Sequence, residues 1–151
     1  MSLSVRDVMT PDPVTAPPDT PVTDIVDAII EKRFSGLPVV ENGEVVGLVE
    51  VGDLLPRPSN VPFSDVEVLE FQDEWIEEDD LENFYEAIEG LTAKRVMRTD
   101  ELPIIAPDVP LTEILHQIVE EGPRRFLVVD EEGLVGVVTR KDLLDVFYRW
   151  P

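Results

Sequence analysis

A mixed α/β (α+β) fold, built from two copies of one β-α-β-β-α unit with pseudo-twofold symmetry, is what this sequence predicts. The leading observation is an internal repeat. Residues 21–55 are written again at 110–144 with a constant offset of 89: Pro21-Val22-Thr23-Asp24-Ile25 returns as Pro110-Leu111-Thr112-Glu113-Ile114, and Asp53-Leu54-Leu55 as Asp142-Leu143-Leu144. Each copy also holds one apolar stripe of helical period and a pair of short apolar runs of strand character. Two copies are too few for a solenoid, so the half-units are expected to bury their apolar faces together, with clefts along the seam.

In chain order, each copy opens on a Pro- and Asp-rich lead-in, Thr10-Pro11-Asp12-Pro13 and Thr99-Asp100-Glu101-Leu102-Pro103, around short strand-like pieces. A helix follows. Thr20 is a good N-cap, and Pro21 and Pro110 suit the first helical turn. Val22, Ile25, Val26, Ile29 and Ile30, with counterparts Leu111, Ile114, Leu115, Ile118 and Val119, keep the spacing of a helix laid on a core. Next, apolar runs at 37–40 and 45–49 flank Asn42-Gly43, and runs at 126–129 and 134–138 flank Glu131-Glu132-Gly133. Both read as β-hairpins. Asp53 and Asp142 stand where the N-cap of a closing helix is expected. Pro56 and Pro58 stop the first of these helices early, while the second runs from Leu143 to about Trp150. The expected division is a first repeat at 1–56, an insert at 57–92 and a second repeat at 93–151.

The insert carries twelve acidic side chains from Asp65 to Glu89, with no Lys or Arg between Arg57 and Lys94. Phe71, Trp75, Phe84, Tyr85 and Ile88 are interleaved, which is not the composition of a disordered tail. Residues 80–89 read as an amphipathic helix, and the insert as a surface packed on the domain edge or at a subunit interface. Glu77-Glu78-Asp79-Asp80 lacks the Asp spacing and Gly of a calcium loop and reads as solvated charge.

Composition narrows the function. With 33 acidic against 12 basic residues, the net charge is -21. Nucleic-acid binding needs a cationic face, so neither nucleic acid nor an anionic membrane is an expected partner. The excess acid accords with solubility or with a salty or hot habitat. The absence of cysteine removes disulfides, thiol nucleophiles and cysteine zinc sites, and the single His116 removes a multi-histidine metal site. With no signal peptide and no apolar run near eighteen residues, the cytoplasm is the expected location. No nucleophile–base pair stands out and His116 falls mid-helix, so no catalytic residue, no cofactor and no enzyme activity is expected.

These residues resemble the tandem cystathionine-β-synthase (CBS) domain pair, or Bateman module, over residues 5–56 and 93–149. The diagnostic pieces are Asp7-Val8-Met9-Thr10, Ser35-Gly36-Leu37-Pro38-Val39-Val40 and Gly136-Val137-Val138-Thr139-Arg140-Lys141-Asp142. The last string matches the family's Gly-h-x-Thr/Ser-x-x-Asp adenosine motif at every fixed position. The resemblance implies a sensor that binds AMP, ADP, ATP or S-adenosylmethionine in clefts between the repeats and pairs as a homodimer. The physics of the matched residues agrees, since a helix starting near Asp142 presents backbone N–H groups and a dipole to a phosphate. An ionised Asp142 is acceptor-only and suits ribose hydroxyls; the plain alternative is that it caps its helix.

Four of the twelve basic residues, Arg124, Arg125, Arg140 and Lys141, fall within the second repeat. Arg124-Arg125-Phe126-Leu127-Val128-Val129-Asp130 resembles the His-Arg-Leu-Val-Val-Val-Asp stretch of the AMP-activated kinase γ subunit, which implies that the basic pair meets phosphate. Guanidinium suits that contact; salt bridging to the acidic insert is the alternative. Carried over residue by residue, the resemblance implies a cleft using Arg124, Arg125, Val137, Thr139, Lys141 and Asp142, with Thr10, Val14, Phe34 and Ser35 from the first copy. A second, weaker cleft centres on Asp53 and departs from the pattern. Glu50 stands where Thr or Ser is expected and Ser35-Gly36 replaces the basic pair, leaving Arg98 or Arg124 to lean in. The competing expectations are a ligand-free dimerisation or interaction module using the acidic insert to reach a regulated partner, and an S-adenosylmethionine sensor.

Overall fold

The computed structural model describes residues 3–55, 82, 85–120 and 122–149. The expectations for Phe71, Trp75, Glu77, Glu78, Asp79, Asp80, Phe84 and Trp150 lie outside these residues. The first half runs α1 (Val5–Val8), β1 (Thr10–Pro11), α2 (Val22–Lys32), β2 (Gly36–Glu41), β3 (Glu44–Glu50) and α3 (Val51–Leu54). The second half repeats it as α4 (Ala93–Val96), β4 (Ile104–Ile105), α5 (Leu111–Val119), β5 (Arg125–Asp130), β6 (Gly133–Thr139) and α6 (Arg140–Arg149). The chain divides into two compact units, neither of them one stretch of sequence. One comprises Met1–Val14, Asn42–Val45 and Asp100–Pro151, the other Thr15–Glu41 and Val46–Thr99.

In the unit that holds β4, β5 and β6, the sheet order is β1-β6-β5-β4. β5 and β6 form the expected hairpin, β4 runs parallel to β5, and β1 runs antiparallel to β6 with Thr10 opposite Val137. The lead-in strand of the first copy therefore completes the sheet of the second. α5 lays Leu111, Ile114 and Ile118 on one sheet face, where Phe126, Val128, Val138 and Leu143 meet Val5 and Val8 of the lead-in. Full burial of side chains of this size is worth about 1.5–3 kcal/mol each. In the other unit α2 lays Val22, Ile25 and Ile29 against Leu37, Val39 and Val49, closed by Ala93 and Val96. β2 and β3 pair as a hairpin whose turn residues, Asn42 and Gly43, are both at positive φ, as a primed two-residue turn requires. Ile88 and Leu91, at the end of the insert, pack on the same core.

The helix starts differ from the sequence reading. Pro21 and Pro110 are themselves the N-caps, in extended conformation, and Thr20 makes no side-chain cap. The first helical N–H groups instead donate to backbone carbonyls far away in sequence, Val22 N to Leu91 O at 2.9 Å and Leu111 N to Leu3 O at 2.8 Å. A long-range backbone acceptor thus satisfies a donor that a hydroxyl was expected to take. Likewise Asp53 and Asp142 are not N-caps. The caps are Glu50 and Thr139, and each Asp sits three residues on as the acidic half of a capping box. α6 accordingly begins at Arg140 rather than Leu143. Leu55, the residue before Pro56, is extended and ends α3, as the proline ring demands. Ile30 and Val119, the last positions of the two helical stripes, are exposed.

Candidate functional site

Strand register assigns the faces. Arg125 lies opposite Thr139, Leu127 opposite Val137, and Val137 opposite Thr10, so these residues share one face of the sheet. Phe126, Val128 and Val138 point the other way, into the core beneath α5. The face away from that core thus carries a hydroxyl on β1, a hydroxyl and an apolar side chain on β6, and a buried guanidinium on β5. β6 then runs directly into α6, which delivers Asp142 to the same corner.

Three hydrogen bonds organise the Asp142 carboxylate. Oδ2 accepts the Thr139 N–H at 2.8 Å and the Thr139 hydroxyl at 3.1 Å, while Oδ1 accepts the Thr10 hydroxyl at 2.8 Å across 132 residues of sequence. Asp142 N–H returns a long bond of 3.4 Å to Thr139 Oγ1. A carboxylate has about four acceptor sites, so the site left is on Oδ1, beside the Thr10 hydroxyl. Oδ2 is thus committed to the helix cap, and Thr10 Oγ1 is the polar group beside Oδ1.

The other predicted residues fall as follows. Arg125 is buried, Arg124 and Lys141 are exposed, and Val14 is partly exposed. Phe34 and Ser35 belong to the other unit, where Phe34 packs on its own core and Ser35 O accepts the Val51 N–H at 2.9 Å. Arg140, counted with the basic cluster in the sequence, is turned elsewhere. Its Nε donates to Ile118 O at 2.9 Å and its Nη2 to Glu120 O at 3.3 Å, at the end of α5. His116 is exposed on α5, 3.5 Å from Glu120. Among the described residues no His/Asp/Glu cluster is arranged to hold a metal ion, and no helix is long and apolar enough to cross a membrane.

The corresponding corner of the first copy has the same frame with different chemistry. Arg98 pairs with Leu48 as Thr10 does with Val137, through mutual N–H to carbonyl bonds of 2.9 and 3.0 Å. Glu50 holds the Thr139 position, and its carboxylate accepts from the Asp53 N–H while Asp53 Oδ2 accepts the Glu50 N–H at 2.9 Å. Gly36 holds the Arg125 position, where a Cβ would stand 2.6 Å from Val49 O and 3.0 Å from Glu50 Cα. Backbone on both contacts leaves nothing to yield, so a basic side chain has no room here. Gly36→Ala is expected to destabilise the protein by about 1–3 kcal/mol, the cost of overpacking. Equilibrium urea unfolding measures it, and an unchanged midpoint would mean that the strand relaxes freely.

Comparison with known proteins agrees with this frame. The chain matches the CBS domain twice, at residues 5–59 and 93–149. It is similar to an uncharacterized protein of Methanocaldococcus jannaschii, MJ0188, 26% identical over 145 residues. That match takes 95% of this chain but 44% of the relative, so the chain spans less than half its length. The chloroplastic CBS domain-containing protein CBSX2 of Arabidopsis thaliana is 29% identical over 148 residues, 93% of this chain and 62% of that protein. The crystal structure of CBSX2 in complex with AMP aligns with a TM-score of 0.69 at 24% identity, covering 95% of each chain. The CBS domain pair of MJ0100, in complex with 5′-methylthioadenosine and S-adenosyl-L-methionine, aligns with a TM-score of 0.66 at 18% identity, covering 97% of each. The matched stretches coincide with the two written copies, and the chain, carrying this domain twice, belongs to the CBS domain family.

Proposed function

We propose that the chain is a regulatory module that binds an adenosine-containing ligand, with one phosphorylated adenine nucleotide held by the second repeat. The observation that carries this reading is the corner in which Thr10 and Thr139 both donate to Asp142 while Arg125 stands opposite Thr139 on the same sheet face. Asp142 Oδ1 and the Thr10 hydroxyl take the ribose. The N-terminal end of α6, with Arg125, Arg124 and Lys141, takes the phosphate through charge-assisted contacts. Val137 and Val14 supply apolar surface for the base. CBSX2 with AMP, and MJ0100 with its methylthioadenosine and S-adenosylmethionine ligands, support the ligand class. The role in this reading is sensing, with the two threonine hydroxyls and Asp142 holding the ligand.

A thermal-shift panel of adenosine, AMP, ADP, ATP and S-adenosylmethionine tests the reading. A ligand at a hundred times its Kd adds about 2.7 kcal/mol to the native state. A raised Tm with AMP, ADP or ATP is expected. No shift with any of the five would leave a ligand-free interaction module as the better reading. The first-copy corner, with its Glu50 carboxylate, favours a cationic ligand such as S-adenosylmethionine.

The module is read as a homodimer. Ile30, Val119, Leu144, Phe147 and Tyr148 are exposed apolar side chains on helices, surface that a twofold partner would cover. Light scattering is expected to give twice the chain mass, and a monomer at tens of micromolar would remove the claim.

A further inference from the structure

We infer that Arg140 is a positioning residue: it clips the connection that carries Arg124 and Arg125 to the corner where Thr139 and Asp142 sit. The inference rests on the nucleotide reading of that corner. α5 ends at Val119, and the last carbonyls of a helix need acceptor-satisfying partners from outside the helix. His116 O accepts the Glu120 N–H at 3.3 Å and Gln117 O the Gly122 N–H at 2.9 Å. Ile118 O and Glu120 O are taken by Arg140 Nε and Nη2. One guanidinium therefore holds both the helix end and the first residue beyond it. β5 begins five residues after Glu120, at Arg125. Arg140 is also the first residue of α6, bonded directly to Thr139. The clip thus fixes the basic pair's approach relative to the Asp142 cap, by donors set in a planar fork.

The first copy shows that the arrangement is peculiar to the nucleotide side. Val51 stands at the Arg140 position, where no fork is available. There α2 runs on to Lys32 and closes on Arg33 in the left-handed conformation, with φ 57°. In the second copy Gly122 takes the corresponding place, where a Cβ would meet Gln117 O at 2.0 Å, so the chain is drawn tightly back on α5. The copy that carries Arg124 and Arg125 is the copy whose helix end is shortened and clipped.

The test compares AMP and adenosine binding by calorimetry in Arg140→Ala and Arg140→Lys, with hydrogen exchange read at Gly122 and Arg125. Both variants are expected to bind AMP about tenfold more weakly, the loss when two long side chains are no longer pre-organised, and adenosine within about twofold of the unmodified protein. Exchange at Gly122 and Arg125 is expected to quicken in both. Lysine keeps the charge but not the fork. An Arg140→Lys variant that binds AMP like the unmodified protein would show a simple charge effect and overturn the inference, as would unchanged AMP affinity in both variants. If the unmodified protein binds neither ligand, the nucleotide reading fails. The clip fails separately, if exchange at Gly122 and Arg125 does not change.

Discussion

Asp142→Ala is expected to weaken adenosine and AMP alike, by about 1.5–3 kcal/mol for the lost charge-assisted bond to the ribose. The same substitution removes the acidic half of the α6 capping box and the acceptor that holds Thr10, so it also costs about 1 kcal/mol of stability. Asp142→Asn separates these roles. Its amide oxygen still accepts the Thr139 N–H, so stability returns while ribose binding does not. Arg125→Ala behaves differently, penalising AMP by a similar amount and sparing adenosine, because its part is with the phosphate. Calorimetry with the two ligands reads the contrast directly. Equal losses for adenosine and AMP in Arg125→Ala would show that this guanidinium does not meet the phosphate.

The second large effect is at Glu50. Its carboxylate is fixed at the N-cap of α3, beside Asp53. A carboxylate about 5 Å from a phosphate at an effective dielectric near 20 costs roughly 3 kcal/mol per charge pair before screening. That is about a hundredfold in affinity. Glu50→Thr keeps an N-cap residue, restores the hydroxyl of the adenosine motif and is expected to create a second AMP site. The gain should be partial, because Gly36 leaves no room for the arginine that the other copy has. A Glu50→Thr variant that binds AMP no better than the unmodified protein would show that this carboxylate is not the barrier.

Much of this frame is legible in the sequence, because the signals are local. The hairpins are marked by apolar runs around turn residues, and the helical stripes by their spacing; the observed strands and helices lie on those residues. The juxtaposition of Thr10 with Asp142 also follows from the family resemblance, although 132 residues part them. What is not legible depends on partners distant in sequence. Thr20 fits the rule for an N-cap, but Leu91 O supplies the acceptor. Arg140 reads as one more cation beside a phosphate site, and nothing near it in sequence reveals that its fork reaches Ile118 O and Glu120 O. The caps expected at Asp53 and Asp142 lie three residues earlier, at Glu50 and Thr139, for a simpler reason. Asp is favoured both as a cap and in the first turn, and only the hydrogen bonds distinguish the two.

The most direct test of the central claim is a calorimetric titration of the unmodified protein with AMP. One site per chain is predicted, lost when Asp142 is replaced. Two equivalent AMP sites per chain, or a single site that survives Asp142→Ala and disappears with Asp53→Ala, would contradict it.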